Sequence, residues 1–259
     1  MGIRMNRLSS SMHWDRGFPR GRILNKLRRW SYLISQGRSR EVYQSIRNMC
    51  WSESSALGLR RDLTQSFDAP RAAFALTVRP LQQEDLARLF DTHFGGVKTE
   101  GVLDRMQRIA LLNAGVATCF VAASPQGEPC YMQWLIGRSE NDKMQALFRG
   151  RFPILKDNEA LLEGAFTVEK FRGMGIMAAA MSCIAEKATD IGARNVITFV
   201  SDDNVPSLKG CKRAGFYPYV VRKALWKFFR TRTVFAELPP GTPYAFEEKE
   251  KPSRPQISP

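Results

Sequence analysis

The pattern of apolar and polar positions predicts alternating strands and helices after residue 75. Short runs rich in β-branched and aromatic residues predict strands, whereas apolar residues spaced three and four positions apart predict helices. The predicted strands are 76–80, 117–123, 130–136, 161–167, 195–200, 216–221 and 225–237, and the predicted helices are 82–94, 101–113, 176–191 and 204–214. A turn-forming cluster joins two of the strands as a hairpin. This order predicts a mixed α/β domain over 76–238, followed by a disordered tail over 239–259 that is rich in proline, glutamate and lysine.

The segment before this domain has a different pattern. Residues 1–21 show little periodicity and predict a disordered basic arm. A first helix is predicted over 22–36 and a second over 39–50. The apolar face of the first helix consists of Ile23, Leu27, Trp30 and Ile34. We therefore predict a basic helical extension over 22–75.

The chain is strongly basic, with 39 lysine and arginine residues against 25 acidic residues. The imbalance is concentrated in residues 1–62, which hold 13 basic and four acidic residues. Two interpretations of the helices in 22–50 are open. They either pack on the main domain with a solvated basic side, or they rest on an anionic membrane surface. Specific binding of a nucleic acid has no motif to support it.

Composition argues against several classes of protein. No apolar stretch approaches the length of a bilayer span. Five cysteines without a Cys-x-x-Cys pair, together with only two histidines, argue against a zinc site, so we expect no metal. An odd number of unpatterned cysteines favours reduced thiols in a cytoplasmic protein.

The segment 166–178 carries the clearest chemical signal. Its pattern is that of a strand end, a tight turn containing Gly173 and Gly175, and the start of a helix. The N–H groups at a helix start are unpaired and carry the positive end of the helix dipole, so they favour a phosphate. Glycines allow the backbone to approach closely, and Arg172 can add a charge-assisted hydrogen bond. The segment therefore predicts a phosphorylated ligand.

Two kinds of phosphorylated ligand suit such a turn. The spacing Gly173-x-Gly175-x-x-Ala178 matches a dinucleotide-binding fingerprint. In that fingerprint, however, the first glycine follows its strand almost at once, and further βαβ units come after it. Here residues 168–172 intervene, and the chain after residue 222 is too short for such units. The dinucleotide interpretation is therefore disfavoured.

The sequence downstream favours the other kind of ligand. Arg172-Gly173-Met174-Gly175-Ile176 is followed, after a helix and a strand, by Asn204-x-x-Ser207-x-x-x-Cys211-x-x-x-Gly215-Phe216. In this order and spacing, the chain resembles the GCN5-related N-acetyltransferase (GNAT) superfamily over about 76–234. The resemblance implies a mixed, mostly antiparallel central sheet of the acyl-CoA N-acyltransferase type. It also implies acetyl-CoA, or another acyl-CoA, as co-substrate.

The resemblance further implies how this donor is held. The pantetheine arm would hydrogen-bond to the exposed backbone of the fourth family strand, and the pyrophosphate would lie on the N–H groups of the following turn. The implied donor-binding residues are Ala165, Phe166, Thr167, Arg172, Gly173, Met174, Gly175, Ile176, Met177, Asn204 and Ser207. Lys170, Lys209 and Lys212 either reach the outer phosphates or are solvated surface lysines.

Two positions depart from the family pattern. Met177 stands where the turn usually ends in glycine or alanine, so its side chain either points away from the pyrophosphate or reshapes the cofactor site. Cys211 stands where the family usually has a tyrosine that is proposed as the general acid. Its thiol either protonates the departing CoA thiolate or packs on the helix.

Glu163 is the predicted general base. It lies in the apolar run 161–166, where a charged side chain is costly to bury, and it shares a strand face with Glu159. A carboxylate with a raised pKa can accept the proton of an attacking amine. The alternative is an edge or salt-bridged glutamate, and positioning of the reactants can supply much of the rate.

The sequence therefore predicts a CoA-dependent N-acetyltransferase with a small-molecule amine acceptor. The basic extension and the aromatic and basic run around Trp226, Phe228 and Phe229 suggest an anionic or membrane-associated acceptor, such as a sugar nucleotide or a lipid-linked intermediate. The alternative is a binding module of the same fold that has lost catalysis and acts at an anionic membrane surface.

Overall fold

The computed structural model describes residues 30–31, 34–35, 37, 39–90, 102–116, 118–227 and 230–250. The chain divides into two compact units, residues 1–53 with 225–232, and residues 54–224 with 233–259. The helices are α1 (Ser39–Cys50), α2 (Asp85–Phe90), α3 (Val102–Asn113), α4 (Asn141–Phe148), α5 (Ile176–Glu186), α6 (Val205–Arg213) and α7 (Ala245–Glu250). The strands are β1 (Trp51–Asp62), β2 (Thr77–Pro80), β3 (Thr118–Ala123), β4 (Pro129–Gly137), β5 (Glu159–Thr167), β6 (Asn195–Ser201), β7 (Tyr217–Lys227) and β8 (Arg230–Glu237).

The strands and helices predicted after residue 75 are confirmed where the structure describes them. The helix predicted over 82–94 is seen as the shorter α2, and residues 91–101 lie outside the described residues. The helix predicted over 176–191 is α5 followed by a 3-10 turn, Lys187–Ile191. The single strand predicted over 225–237 is instead the end of β7 followed by β8.

Among the described residues, eight strands form a sheet in the order β2-β3-β4-β5-β6-β1-β7-β8. The pairs β2–β3, β3–β4, β4–β5 and β1–β6 are antiparallel, and β5–β6 is parallel. A parallel pair needs a crossover connection, which α5 supplies here. The mixed, mostly antiparallel sheet implied by the family resemblance is therefore confirmed.

Strand β1 corrects the prediction of a helical extension over 22–75. Its residues 56–62 pair with residues 195–201 of β6. The hydrophobic pattern hid this strand because its buried positions include Gly58 and Arg61. A Cβ atom at Gly58 would lie 2.3 Å from a valine side chain of β7, so the position requires glycine. The arginine is buried for a different reason.

Arg61 fastens β1 to the helices on one face of the sheet. Its side chain is 3% exposed and forms an ion pair with Glu186 of α5. Its guanidinium donates hydrogen bonds to Ser182 Oγ at 2.9 Å and to the Ala214 carbonyl oxygen at 3.4 Å. The guanidinium carbon lies 4.5 Å from the centroid of the Phe67 ring. Burial lowers the pKa of Arg61, and the Glu186 carboxylate opposes that change.

We expect Arg61→Ala to lower the free energy of unfolding by about 3 kcal/mol, because it removes buried polar contacts and leaves a cavity. Arg60→Ala is the matched control, since Arg60 is exposed and lies over the Tyr219 ring on the opposite face. Its effect should stay within about 1 kcal/mol. Urea unfolding of the full chain measures both values. Equal losses would contradict the role given to Arg61.

Each face of the sheet carries a hydrophobic core. Helices α5 and α6 contribute to the first core, and α2, α3 and α4 contribute to the second. Large side chains of the first core include Leu59, Tyr131, Leu162, Met181 and Phe216. Large side chains of the second core include Leu111, Met132, Trp134, Leu161 and Ile197. Successive residues Leu161 and Leu162 of β5 thus point to opposite faces, as a pleated strand requires.

The chain after β8 corrects the prediction of a disordered tail over 239–259. Tyr244 is 1% exposed in the first core. Its hydroxyl donates a hydrogen bond to the Phe216 carbonyl oxygen at 2.7 Å, and its ring stacks on Phe246. The proline-rich and charged composition concealed these two aromatic anchors. Residues 251–259 lie outside the described residues.

In the first unit, α1 confirms the helix predicted over 39–50. The predicted arm and most of the helix over 22–36 lie outside the described residues, as do Phe228 and Phe229. Lys227 Nζ lies 5.4 Å from the centroid of the Trp51 ring. In the part of the chain that the structure describes, no helix combines the length and hydrophobicity needed to cross a membrane. Contact of 22–50 with a membrane surface stays a prediction.

Candidate functional site

An opening between β5 and β6 forms the candidate site. The two strands pair only over residues 159–161 and 195–197. Beyond that point, β5 stays paired with β4 as far as Thr167, and β6 stays paired with β1 as far as Ser201. The β6-facing backbone edge of residues 162–167 therefore has no strand partner among the described residues. Its N–H and C=O groups are available to a ligand that runs along the strand.

A β-bulge at Gly164 shapes β5 beside this opening. Glu163 lies opposite Trp134 of β4, and Phe166 lies opposite the residue two positions before that tryptophan. Gly164 and Ala165 therefore face a single residue of β4. The φ angle of Gly164 is +69°, and a Cβ atom there would lie 2.7 Å from the Trp134 ring. Only glycine fits this position, and the bulge redirects the strand immediately after Glu163.

The donor-binding residues predicted on β5 lie along the opening. Ala165 is exposed, whereas Phe166 and Thr167 are half-buried. The Phe166 ring packs against the second core and lies 4.4 Å from the guanidinium carbon of Arg108 on α3. The backbone edge, rather than these side chains, is thus the feature that β5 presents to a ligand.

Between β5 and α5 the chain makes the predicted glycine turn. Gly173 and Gly175 have φ angles of +79° and +73°, and Gly175 is the N-cap of α5, which begins at Ile176. A glycine cap has no side-chain oxygen, and the first N–H groups of a helix have no intrahelical acceptor. The turn therefore presents N–H groups together with the positive end of the helix dipole. Arg172 Nε donates to the Thr167 carbonyl oxygen at 3.3 Å, which links the turn to the end of β5.

The segment that precedes β2 braces this turn. The Ala73 N–H donates to the Met174 carbonyl oxygen at 2.9 Å. A Cβ atom at Gly175 would lie 3.0 Å from the Arg71 carbonyl oxygen. Phe74 packs against the first core. The turn is thus held from one side by residues far from it in sequence, which the motif alone did not indicate.

Met177 packs against Gly210 of α6. A Cβ atom at Gly210 would lie 2.9 Å from Met177 Sδ. The glycine therefore provides the space that the methionine fills between the two helices. Glycine in the middle of a helix is otherwise unfavourable, so its presence is explained by this contact.

Asn204 and Ser207 cap helix α6. The Asn204 side-chain oxygen accepts a hydrogen bond from the Ser207 N–H at 3.2 Å. The Asn-x-x-Ser spacing therefore has a structural role as an N-cap. Their predicted contact with the donor stays a prediction.

The three lysines near the predicted phosphate positions all have partners. Lys170 forms an ion pair with Glu128, and Lys212 forms an ion pair with Glu247. Lys209 Nζ lies 5.5 Å from the centroid of an aromatic ring of α7. These contacts favour the interpretation of surface lysines over that of phosphate ligands.

Glu163 lies two residues beyond the last parallel pair of β5 and β6. Gln107 Nε2 of α3 donates a hydrogen bond to Glu163 Oε1 at 2.6 Å. Burial raises the pKa of Glu163, and the guanidinium groups of Arg151 and Arg222 oppose this effect. Glu159 on the same face has a different role, since its Oε2 accepts a hydrogen bond from a backbone N–H at 3.1 Å in the preceding turn. Glu159 lies where β5 and β6 are still paired, whereas Glu163 lies at the opening and has a raised pKa.

Cys211 belongs to the first core, which favours packing over catalysis. The residue is 1% exposed, and its Sγ lies 3.8 Å from Met181 Sδ. Burial raises the pKa of the Cys211 thiol to about 12. A thiol with this pKa is a poor proton donor to a departing thiolate, whose conjugate acid is much stronger. The structure therefore supports the second of the two alternatives for Cys211.

Sequence reasoning missed three polar residues beside Glu163. Gln107, Arg151 and Arg222 come from α3, the segment after α4 and β7. Arg151 donates to Gln107 Oε1 at 3.2 Å, and Arg222 donates to the Arg151 carbonyl oxygen at 3.2 Å. The available signal was the basic pair Arg222-Lys223 within the otherwise apolar and aromatic run of β7. Across the described residues, no three His, Cys, Asp or Glu side chains form a group that could hold a metal ion.

Residues 92–216 match the model of the Acetyltransferase (GNAT) family. An acetyltransferase of the GNAT family from Colwellia psychrerythraea is 14% identical, with 76% of this chain and 61% of that chain covered and a TM-score of 0.43. A GCN5-related N-acetyltransferase from Kribbella flavida is 14% identical, with 74% and 61% covered and a TM-score of 0.42. One from Sphaerobacter thermophilus is 13% identical, with 86% and 71% covered and a TM-score of 0.43.

This chain thus spans 61% of the length of both the Colwellia and the Kribbella protein. No curated protein matches the chain. The family match includes the opening between β5 and β6, the glycine turn and helix α6.

Proposed function

We propose that this chain, which carries an acetyltransferase domain of the GNAT family, transfers an acetyl or other acyl group from acyl-CoA to an amine. The observation that carries this proposal is the separation of β5 from β6 beside the glycine turn of α5. Along this opening lie a strand edge, the N–H groups of a helix start, and a carboxylate with a raised pKa.

The residues along the opening suit an extended thioester that bears phosphates. The backbone of residues 165–167 can hydrogen-bond to the amide groups of a pantetheine arm, as a neighbouring strand would. The N–H groups of residues 173–177 and the guanidinium of Arg172 can hold a pyrophosphate. When bound, acyl-CoA supplies an activated acyl carbon.

Glu163 is suited to accept a proton from the acceptor amine, directly or through one water molecule. The amine nitrogen forms a bond to the acyl carbon, and the carbon–sulfur bond breaks. The sulfur leaves with the bonding electron pair and takes up one proton, so the products are an amide and the free CoA thiol. The raised pKa of Glu163 makes the carboxylate a stronger base than an exposed glutamate.

The burial of Cys211 favours one further candidate function. If the family position for the general acid supplies no proton, the domain can still bind acyl-CoA as a module without turnover. This module would use the same strand edge and the same turn. One measurement distinguishes the two: the enzyme would release free thiol from acyl-CoA, and the binding module would not.

We expect acetyl-CoA to raise the thermal unfolding midpoint of the full chain, by an amount equivalent to about 2.7 kcal/mol at a concentration 100 times its Kd. We also expect free thiol to appear when amines are added, including an amino sugar linked to a nucleotide. Thiol release is measured with a chromogenic disulfide. Stabilisation without release on any acceptor would identify the binding module. Absence of both stabilisation and release would refute acyl-CoA as the ligand.

A further inference from the structure

The two arginines beside Glu163 are held in a fixed arrangement. The guanidinium carbon of Arg222 lies 5.2 Å from the centroid of the Phe199 ring and 5.8 Å from that of Phe152. Arg222 also donates to the Arg151 carbonyl oxygen at 3.2 Å. Contacts with two rings and a carbonyl restrict the rotamers of Arg222, so less entropy is lost when a ligand binds to it.

Neither Arg151 nor Arg222 forms an ion pair with a carboxylate among the described residues. Arg222 is half-buried, and burial together with the Arg151 charge lowers the pKa of Arg222 to about 10. The carboxylate that acts on both electrostatically is Glu163, whose own pKa is raised. A bound anion beside Arg151 and Arg222 would add a second negative charge to that of Glu163 and would offset the repulsion between the two guanidinium groups.

A hydrogen-bonded path joins the arginines to Glu163. Arg222 donates to the Arg151 backbone, Arg151 donates to Gln107, and Gln107 donates to Glu163. The cations and the candidate base thus belong to one polar cluster. A molecule of modest size can therefore contact both.

We propose that the acceptor is an amine that also carries a carboxylate or phosphate group, and that Arg151 and Arg222 bind this anion while the amine lies at Glu163. This inference rests on the function proposed above. The guanidinium fork matches both anions through paired hydrogen bonds, which is why the class is defined by the anion rather than by the carbon skeleton. Arg222 is the principal anchor because it is the more buried of the two.

The test uses amines in matched pairs that differ only in the anion. We suggest O-phosphoethanolamine with ethanolamine, β-alanine with its amide, and glucosamine 6-phosphate with glucosamine. Binding to the full chain in the presence of CoA is measured by calorimetry, and thiol release from acetyl-CoA is measured separately. We expect the anionic member of at least one pair to bind at least 10-fold more tightly and to show at least 10-fold higher kcat/KM. The pair that shows the preference distinguishes phosphate from carboxylate.

Arg222→Met should weaken binding of the anionic amine by about 10- to 100-fold more than it weakens binding of the neutral counterpart. Arg222→Lys should keep part of the preference, since it retains the charge but not the fork. Arg138→Met is the matched control, because Arg138 is exposed and paired with Asp157.

Equal affinities within every pair of amines, or an equal loss of affinity for both members of a pair in Arg222→Met, would overturn the inference. If thiol is still released in that case, the transferase function stands while this acceptor class is excluded. If neither acetyl-CoA nor any amine binds, both proposals fail.

Discussion

Glu163→Gln is expected to lower kcat/KM for an amine acceptor by about 10²- to 10³-fold, the range of a general base. Glutamine keeps the size of the side chain and can still contact Gln107, so the fold should be unchanged. The substitution removes only the capacity to take up a proton. Thiol release at several pH values, with the thermal unfolding midpoint as a control for folding, measures the effect.

The direction of the pH dependence follows from the burial of Glu163. Burial raises its pKa, so the carboxylate becomes protonated at a higher pH than an exposed glutamate does. The base is active when deprotonated, and kcat/KM of the unmodified chain should therefore fall as the pH falls through this raised pKa. In Glu163→Gln this fall should disappear. An unchanged profile in the variant would remove Glu163 from the mechanism.

Gln107→Leu is the companion variant for this experiment. It retains Glu163 but removes the hydrogen bond donated to Oε1, which favours the charged carboxylate. The pKa of Glu163 should rise further, and the acid side of the profile should move to higher pH. A purely structural role for Gln107 would lower activity at all pH values without moving the profile.

The glycine turn and the place of Glu163 in an apolar strand could be predicted from the sequence because they depend on local chemistry. Gly173 and Gly175 adopt left-handed angles at a helix start, and Glu163 is a charge in an apolar strand. Both signals lie within a few residues of chain. The periodicity of the strands after residue 75 is local in the same sense.

The remaining features depend on contacts between distant segments. Strand β1 contains a buried arginine that is acceptable only because Ser182 and Glu186 of α5 meet it. The arginines beside Glu163 come together only once β7 and the segment after α4 pack on the same face. Cys211 was ambiguous because its sequence position does not reveal whether the thiol faces a core or a cleft. Hydrophobic periodicity carries no information on such pairings.

Gly175→Val is expected to weaken the binding of CoA by about 100-fold. Gly175 has a φ angle of +73°, which costs a residue with a side chain about 1–2 kcal/mol. A Cβ atom would also lie 3.0 Å from the Arg71 carbonyl oxygen. The backbone must therefore rotate at the N-cap of α5, and the N–H groups that we assign to the pyrophosphate would turn with it.

Gly192→Val separates this effect from general instability. Gly192 has a similar φ angle of +80° at the end of the helical segment that follows α5, and nothing in the described chain lies within 4 Å of a Cβ there. Both variants should lose comparable stability from the left-handed angle, whereas only Gly175→Val should lose affinity for CoA. Calorimetric titration with CoA and urea unfolding measure the two quantities. If both variants bind CoA as the unmodified chain does, the pyrophosphate does not lie at this turn. If both variants lose affinity for CoA equally, the loss reflects lower stability, because the two glycines share their backbone angle but only Gly175 lies at the start of α5.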